Sequence, residues 1–295
     1  MNPSGVDSPG RSESLLASSR AALLDALEAL EAHRDSVIVI GAQAIYLRAS
    51  SPQIALAEFT KDSDLALDPR SLGEDPRVEE AMTNAGFYPN PTSSNPGEWE
   101  SPAGIPVDLM VPEAVAGPAQ RGRRGARIPP HSRAAARRAV GLEAALVDND
   151  ELEIVALAED DTRAYKVRVA GFGALLVAKL HKLGDRAAAD PRRLHDKDAH
   201  DVYRLLVASP TPDLVSKLAV LLADPLSGEV TLQALAILRE LFTPGPDALG
   251  SLMAGRAEEG IGDPENVAQS VAILAQDLLS AVESDRGYES AVHSR

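Results

Sequence analysis

The chain has 295 residues, enough for one large domain or two ordinary ones, and its 44% hydrophobic content excludes wholesale disorder. A net charge of −15 excludes a general nucleic-acid coat, because phosphate affinity comes from Lys and Arg, and leaves that role only to a local basic patch. The lack of cysteine excludes disulfides and thiolate zinc sites. The opening "MNPSGVDSPGRSES" has no apolar core of a signal peptide, and no run of roughly 18 apolar residues exists to span a membrane, so a cytoplasmic chain with no membrane partner is expected.

Residues 1–12 are rich in Ser, Gly and Pro and are expected to be disordered. "SLLASSRAALLDALEALEAHR" has Leu at helical spacing and reads as the first helix. Val37 to Ile40 is a short β-branched run, the signature of a strand buried on both faces. Gly41 ends it, and a helix can follow at once. "FTKDSDLALDP" reads as a second strand stopping at Pro69, and "DPRVEEAMTNAGF" as a helix closed by Gly86. The turn-rich "NPTSSNPGEWESPAG" suggests a loose hairpin packed by Trp99. "IPVDLMV" is a third strand with Val107, Leu109 and Val111 on one face and Asp108 on the other. A domain boundary is expected in the Gly-, Pro- and Arg-rich stretch near residue 125. Beyond it, "LEIVAL" and "AYKVRVA" read as two strands, and long helices fill the rest up to a frayed tail at 285–295.

Side chains alternate along a strand, so Asp62 and Asp64 point the same way, about 7 Å apart. Ser63, Leu65 and Leu67 point into a core. Asp is disfavoured in strands, so two on one face ask for a reason. If the strand of Asp108 is a neighbour, three carboxylates converge, and all-oxygen ligands suit Mg²⁺ or Mn²⁺. Two such ions, about 3.5–4 Å apart, clamp the attacking and leaving oxygens in phosphoryl or nucleotidyl transfer. Gly41, at the turn from strand to helix, offers backbone N–H groups and a helix dipole to an anion.

The stretches "VIGAQAIYLRA", "FTKDSDLAL" and "IPVDLMV" resemble the DNA polymerase β-type nucleotidyltransferase pattern. "LLVAKLHKLGDR" followed by "KDAHDVYRLL" resembles the AbiEii toxins, minimal nucleotidyltransferases of toxin–antitoxin and abortive-infection pairs. The resemblance implies an α/β (α+β) fold: a polymerase β-like nucleotidyltransferase domain over 13–125 and a mixed, mainly helical C-terminal domain over 126–284. It implies that Gly41 and Ala42 form the phosphate turn, that Asp62, Asp64 and Asp108 hold metal, and that Asp108 helps deprotonate the acceptor. Lys179, with Lys182 on the same helix face, would contact the nucleotide, and Asp198 would orient Lys179 or the nucleotide. The donor would be an NTP, the cofactor Mg²⁺ or Mn²⁺, the acceptor hydroxyl a tRNA 3′ end, and the restraining partner an antitoxin. The sequence departs from the pattern at Ala42, at Ser63 and in the long segment between Gly41 and Asp62.

Blander readings stand beside these. Asp62 and Asp64 also fit a solvated edge strand, Asp68 a turn before Pro69, and Lys179, Lys182 and Arg186 a solvated basic face. The seven arginines of 121–138 fit a solvated loop as well as a phosphate-tracking patch for an RNA acceptor. "HDKDAHD" (His195, Asp196, His200, Asp201), with His131 and His181, invites a metal-phosphohydrolase reading. A small-molecule nucleotidyltransferase and a non-catalytic nucleotide binder remain alternatives.

Overall fold

The computed structural model describes residues 9–49, 62–119, 123–189, 192 and 194–293. The strand expected from Phe59 is seen from its second half: Phe59, Thr60 and Lys61 lie outside the described residues, and β2 spans Ser63–Leu67. The first helix, α1, spans Pro9–Ala29 and so begins inside the stretch expected to be disordered. A 3₁₀ turn (Glu31–Ser36) follows it and leads into β1, Val37–Ile40. All four β1 residues are buried, as the β-branched run implied. Helix α2 (Gly41–Arg48) starts at the next residue.

Helix α3 (Val78–Asn84) is followed by Gly86 at φ +86°, the left-handed position expected of a glycine stop. The expected hairpin forms between β3 (Tyr88–Pro89) and β4 (Glu98–Glu100), and Trp99 is buried there, donating its indole N–H to Ala135 O at 3.0 Å. β5 spans Pro106–Pro112, with Val107, Leu109 and Val111 fully buried. β6 (Arg137–Ala139), β7 (Asn149–Val155) and β8 (Ala164–Ala170) complete a mixed eight-stranded sheet. Its order is β3-β4-β5-β2-β1-β8-β7, with β6 also pairing β5.

The sheet does not stop at residue 125, where the domain boundary was expected. β6 joins β5 in parallel, and β8 joins β1 in parallel, so strands from both sides of that point share one sheet. The α1–β1 unit is thereby closed by a strand more than a hundred residues later, a pairing that no local pattern announces. β4 and β6 lie end to end along the same edge of β5. Gly97 sits at their joint with φ +75°; a Cβ there would come 2.2 Å from Leu109 O and 2.7 Å from Arg137 N. Only glycine fits.

Beyond the sheet the chain is helical: α4 (Phe172–Ala189), α5 (Asp196–Ala208), α6 (Thr211–Ala223), α7 (Gly228–Phe242), α8 (Leu249–Arg256) and α9 (Pro264–His293). α9 continues to His293, well into the segment expected to fray. Among the described residues no single helix is long and apolar enough to cross a membrane.

One sheet face packs on α1, and the tie is polar. Ser63, fully buried, donates to Ser19 O at 3.1 Å. Gln43 of α2 donates to Ser19 Oγ at 2.9 Å and accepts from Arg20 Nε at 3.1 Å, and Arg20 also donates to Val155 O at 3.0 Å. This small cluster joins α1, α2, β2 and β7. It also explains Ser63, a departure from the resembled pattern: its hydroxyl serves the fold on the face away from Asp64. Gln43→Ala leaves Arg20 Nε unsatisfied in the interior and takes one of its partners from Ser19 Oγ, which keeps Ser63 Oγ at 3.4 Å. Urea denaturation is expected to show a loss of about 2 kcal/mol; a loss near zero would mean that the cluster does not tie the helices.

Candidate functional site

The pairing register lines up the acids. Ile40 faces Asp64, Asp64 faces Asp108, and Asp108 faces Glu98 across β1, β2, β5 and β4. Residues paired in register project from the same face, on strands about 4.8 Å apart. Asp64 and Asp108 are therefore side by side, and Asp62 stands just ahead of β2 at the matching parity. The face is opposite to the one that carries Ser63, Leu65 and Leu67 into the core.

Gly41 borders this face. Its φ is +68°, and a Cβ on it would lie 2.0 Å from Asp64 Oδ2. The glycine thus does two things: it adopts a conformation other residues avoid, and it makes room for the Asp64 carboxylate at the start of α2. Ala42 is buried in the first turn behind it.

Opposite the acids runs α4. A cleft of about 710 Å³ lies between Asp64 and α4, lined among others by Gly41, Asp64, Arg137, Lys179, Lys182 and Arg186, with Asp62 and Asp108 outside its lining. Lys179 is buried, and its Nζ pairs with Asp201 Oδ2 at 2.6 Å, with Asp198 Oδ1 farther off at 4.0 Å. Asp198 is fully buried and serves Lys182 Nζ at 3.2 Å together with Arg186. The partner of Lys179 is thus chiefly Asp201, and Asp198 anchors Lys182 and Arg186. Arg204 closes the group with a 3.3 Å contact to Asp201.

On the strand side, Arg137 of β6 meets Asp108 Oδ2 at 2.6 Å. This contact follows from register: Arg137 is paired with Met110, two residues after Asp108 on the same face. Arg138, beside it, pairs with Glu113 at 2.6 Å. Of the arginine run, Arg123, Arg124 and Arg127 are exposed, while Arg124, Arg137 and Arg138 line the cleft; Arg121 lies outside the described residues.

The electrostatics follow. Burial, and then the Asp64 charge, push the Asp108 carboxyl up to about 6, with Arg137 offsetting part of the rise. Burial and Asp64 also raise Asp62, against the pull of Lys197, Lys182 and Arg137. Burial alone would lower the Lys179 ammonium, but Asp201 and Asp198 outweigh it and hold it above its usual value. Lys182 is lowered, first by desolvation and then by Lys179.

Five of the six residues of the phosphohydrolase reading are otherwise engaged, Asp201 by Lys179 as described. His200 Nε2 meets Glu258 at 2.5 Å, Asp196 pairs with Arg256, His181 Nε2 donates to Val230 O, and His131 Nδ1 accepts from Val78 N. Among the described residues no three His, Asp or Glu side chains stand together in a metal-ligating arrangement, Asp108 being turned to Arg137.

Reasoning from the sequence missed Arg137 and Glu98 as neighbours of Asp108, and Asp201 as the partner of Lys179. Only Asp201 had a local signal, since it shares a helix face with Asp198. The chain matches no protein-family model and none of the curated proteins.

A carboxyl raised in the fold binds its proton more tightly there than in the unfolded chain. Stability is therefore fuller on the acid side and falls as pH rises from about 3.9 to about 6. Asp108→Asn removes that cost. Melting curves are expected to show a gain on the order of 2 kcal/mol above pH 6, shrinking steadily toward pH 3.5. A loss of stability at pH 7.5 would contradict the balance of charges described.

Proposed function

We propose that the chain is a Mg²⁺- or Mn²⁺-dependent nucleotidyltransferase that moves a nucleoside monophosphate from an NTP to an acceptor hydroxyl. The observation that carries this reading is the in-register pair Asp64–Asp108, with Asp62 at the same parity, set beside the Gly41 turn, with Asp64 facing the lysines of α4 across one cleft. A wet edge strand would not enclose its acids against a helix bearing cations.

The donor set fits a hard divalent ion. Burial first, and then the charge of the adjacent Asp64, raise Asp108, and a divalent charge offsets both. Mg²⁺ normally takes one or two carboxylates and completes its shell with water and phosphate oxygens, so three clustered protein acids are not required. When bound, such an ion polarises the phosphoryl oxygens and stabilises charge on the attacking and leaving oxygens.

The protein's own groups supply the rest. The backbone N–H groups that open α2 after Gly41 receive a phosphate. Both α4 lysines line the cleft; Lys182, 42% exposed in its side chain and 3.2 Å from Asp198, is the more accessible, while Lys179 is buried against Asp201 at 2.6 Å. The acceptor hydroxyl attacks the α-phosphorus, a new P–O bond forms, and pyrophosphate leaves with the electrons of the broken bond. Asp108, beside Asp64 on the same sheet face, is the carboxylate assigned to take the hydroxyl proton.

The acceptor read here is an RNA end, a tRNA 3′ end by the resemblance of the sequence. What supports it is that Arg124, Arg137 and Arg138 border the cleft and that Arg123 and Arg127, close in sequence, are exposed, in a chain that is otherwise acidic. The toxin role and its antitoxin belong to the same reading.

The test supplies each of four labelled NTPs with Mg²⁺ and total tRNA. Wild type is expected to label the RNA. Asp62→Ala and Asp64→Ala are expected to lose at least about a thousandfold in rate, the several kcal/mol that the ion contributes. Labelling that survives Asp64→Ala would overturn the assignment. Labelling of small hydroxyl acceptors only would move it to small-molecule transfer.

A further inference from the structure

We infer that Arg137 is a placeholder for the divalent ion: it neutralises Asp108 while the ion is absent, and on ion binding its guanidinium is released to hold a phosphate of the nucleotide. This rests on the proposed nucleotidyltransferase site and adds to it a residue with two successive partners.

The cations that line the cleft are not equivalent. Lys179 is held by Asp201, Lys182 and Arg186 by Asp198, and Arg138 by Glu113. None of those acids belongs to the candidate ion site. Arg137 is the one cation among these whose carboxylate the ion itself would use. An arriving divalent charge therefore competes most directly with Arg137, the cation in contact with one of its carboxylates.

The form of the contact suits exchange. Arg70 grips Asp68 with a two-pronged fork, at 2.9 Å on each side, and Arg256 grips Asp196 likewise at 3.1 and 2.6 Å. Arg137 meets Asp108 Oδ2 through one of its terminal nitrogens. Its other terminal nitrogen is buried and has no hydrogen-bond partner among the described residues. A fork between both terminal nitrogens and an acceptor gives an arginine pair much of its strength and geometry, so a contact that leaves one terminal nitrogen unsatisfied is the more easily exchanged.

The destination is set by the surroundings. Freed from Asp108, the guanidinium sits at the wall of a cleft on the same sheet face, next to the acids where the proposed ion and triphosphate meet. A phosphate offers two oxygens to the planar fork and satisfies the nitrogen now left unpaired. Metal and nucleotide binding are then coupled: the ion releases the residue that the nucleotide requires.

The experiment measures Mn²⁺ binding without nucleotide, by electron paramagnetic resonance, and binding of a non-hydrolysable NTP analogue in the presence of Mn²⁺, by calorimetry. Arg137→Gln is expected to bind Mn²⁺ alone several-fold more tightly than wild type, because no guanidinium competes. The same variant is expected to bind the Mn-bound analogue about tenfold more weakly, the scale of a lost charge-assisted hydrogen bond. A purely structural arginine would not move the two affinities in opposite directions. Mn²⁺ binding that is unchanged or weaker in a folded Arg137→Gln chain overturns the inference.

Should the glutamine variant not fold, Arg137→Lys keeps the charge and loses the fork. Weaker binding of the Mn-bound analogue is then expected, and wild-type affinity for both Mn²⁺ and analogue overturns the inference. Wild type that binds Mn²⁺, with that binding lost in Asp64→Asn, leaves the nucleotidyltransferase site standing whatever Arg137 does. Wild type that binds no Mn²⁺ with or without the analogue removes the ion site and this inference together.

Discussion

Two carboxylates in register on neighbouring strands govern this structure. Asp64 and Asp108 face each other across a β-pair whose other side is a dry core of Leu65, Leu109 and Val107. Like charges opposite one another destabilise a sheet. The surroundings are arranged to keep them there. Gly41 leaves its Cβ space to the Asp64 carboxylate, Arg137 supplies one compensating charge, and α4 brings lysines to the opposite wall. The residual cost appears as a carboxyl raised to about 6. A protein keeps such a cost where the charge has a use.

The lysine wall needs its own support. Cations on a helix facing other cations would turn outward without anchors. Asp198, fully buried, and Asp201 provide them from α5, so α4 and α5 pack through ion pairs as well as through Leu180, Leu183 and Leu205. Buried ion pairs add little net stability against an apolar alternative, but removing one member is costly. Their value here is positional: Lys182 is held at a height on α4 that faces Asp64.

Much of this was legible from local pattern. The alternation in "KDSDLAL" and "IPVDLMV" fixed which way Asp62, Asp64 and Asp108 point, and the burial of Ser63, Leu65, Leu67 and Val107 agrees. The strand–glycine–helix turn at Gly41 was visible in a β-branched run ending in glycine. What stayed hidden is non-local. Nothing in the chain near Asp108 says that its neighbour on one side is Asp64 and on the other Glu98, or that Arg137 reaches it from a segment poor in periodicity. The parallel pairing of β8 with β1 spans well over a hundred residues, so a boundary near residue 125 looked natural from composition and yet falls within one sheet. Ser63 read as a departure because its partner, Ser19, lies on a helix far away in sequence.

The central claim is that the Asp64–Asp108 face is an ion and nucleotide site. The most direct measurement is anomalous scattering from crystals soaked with Mn²⁺ and a non-hydrolysable NTP analogue. The account predicts a manganese peak about 2.1–2.2 Å from carboxylate oxygens on this face, with the analogue's phosphates in the cleft between β2 and α4. A structure with the analogue bound elsewhere, or with manganese absent from Asp62, Asp64 and Asp108, would contradict it.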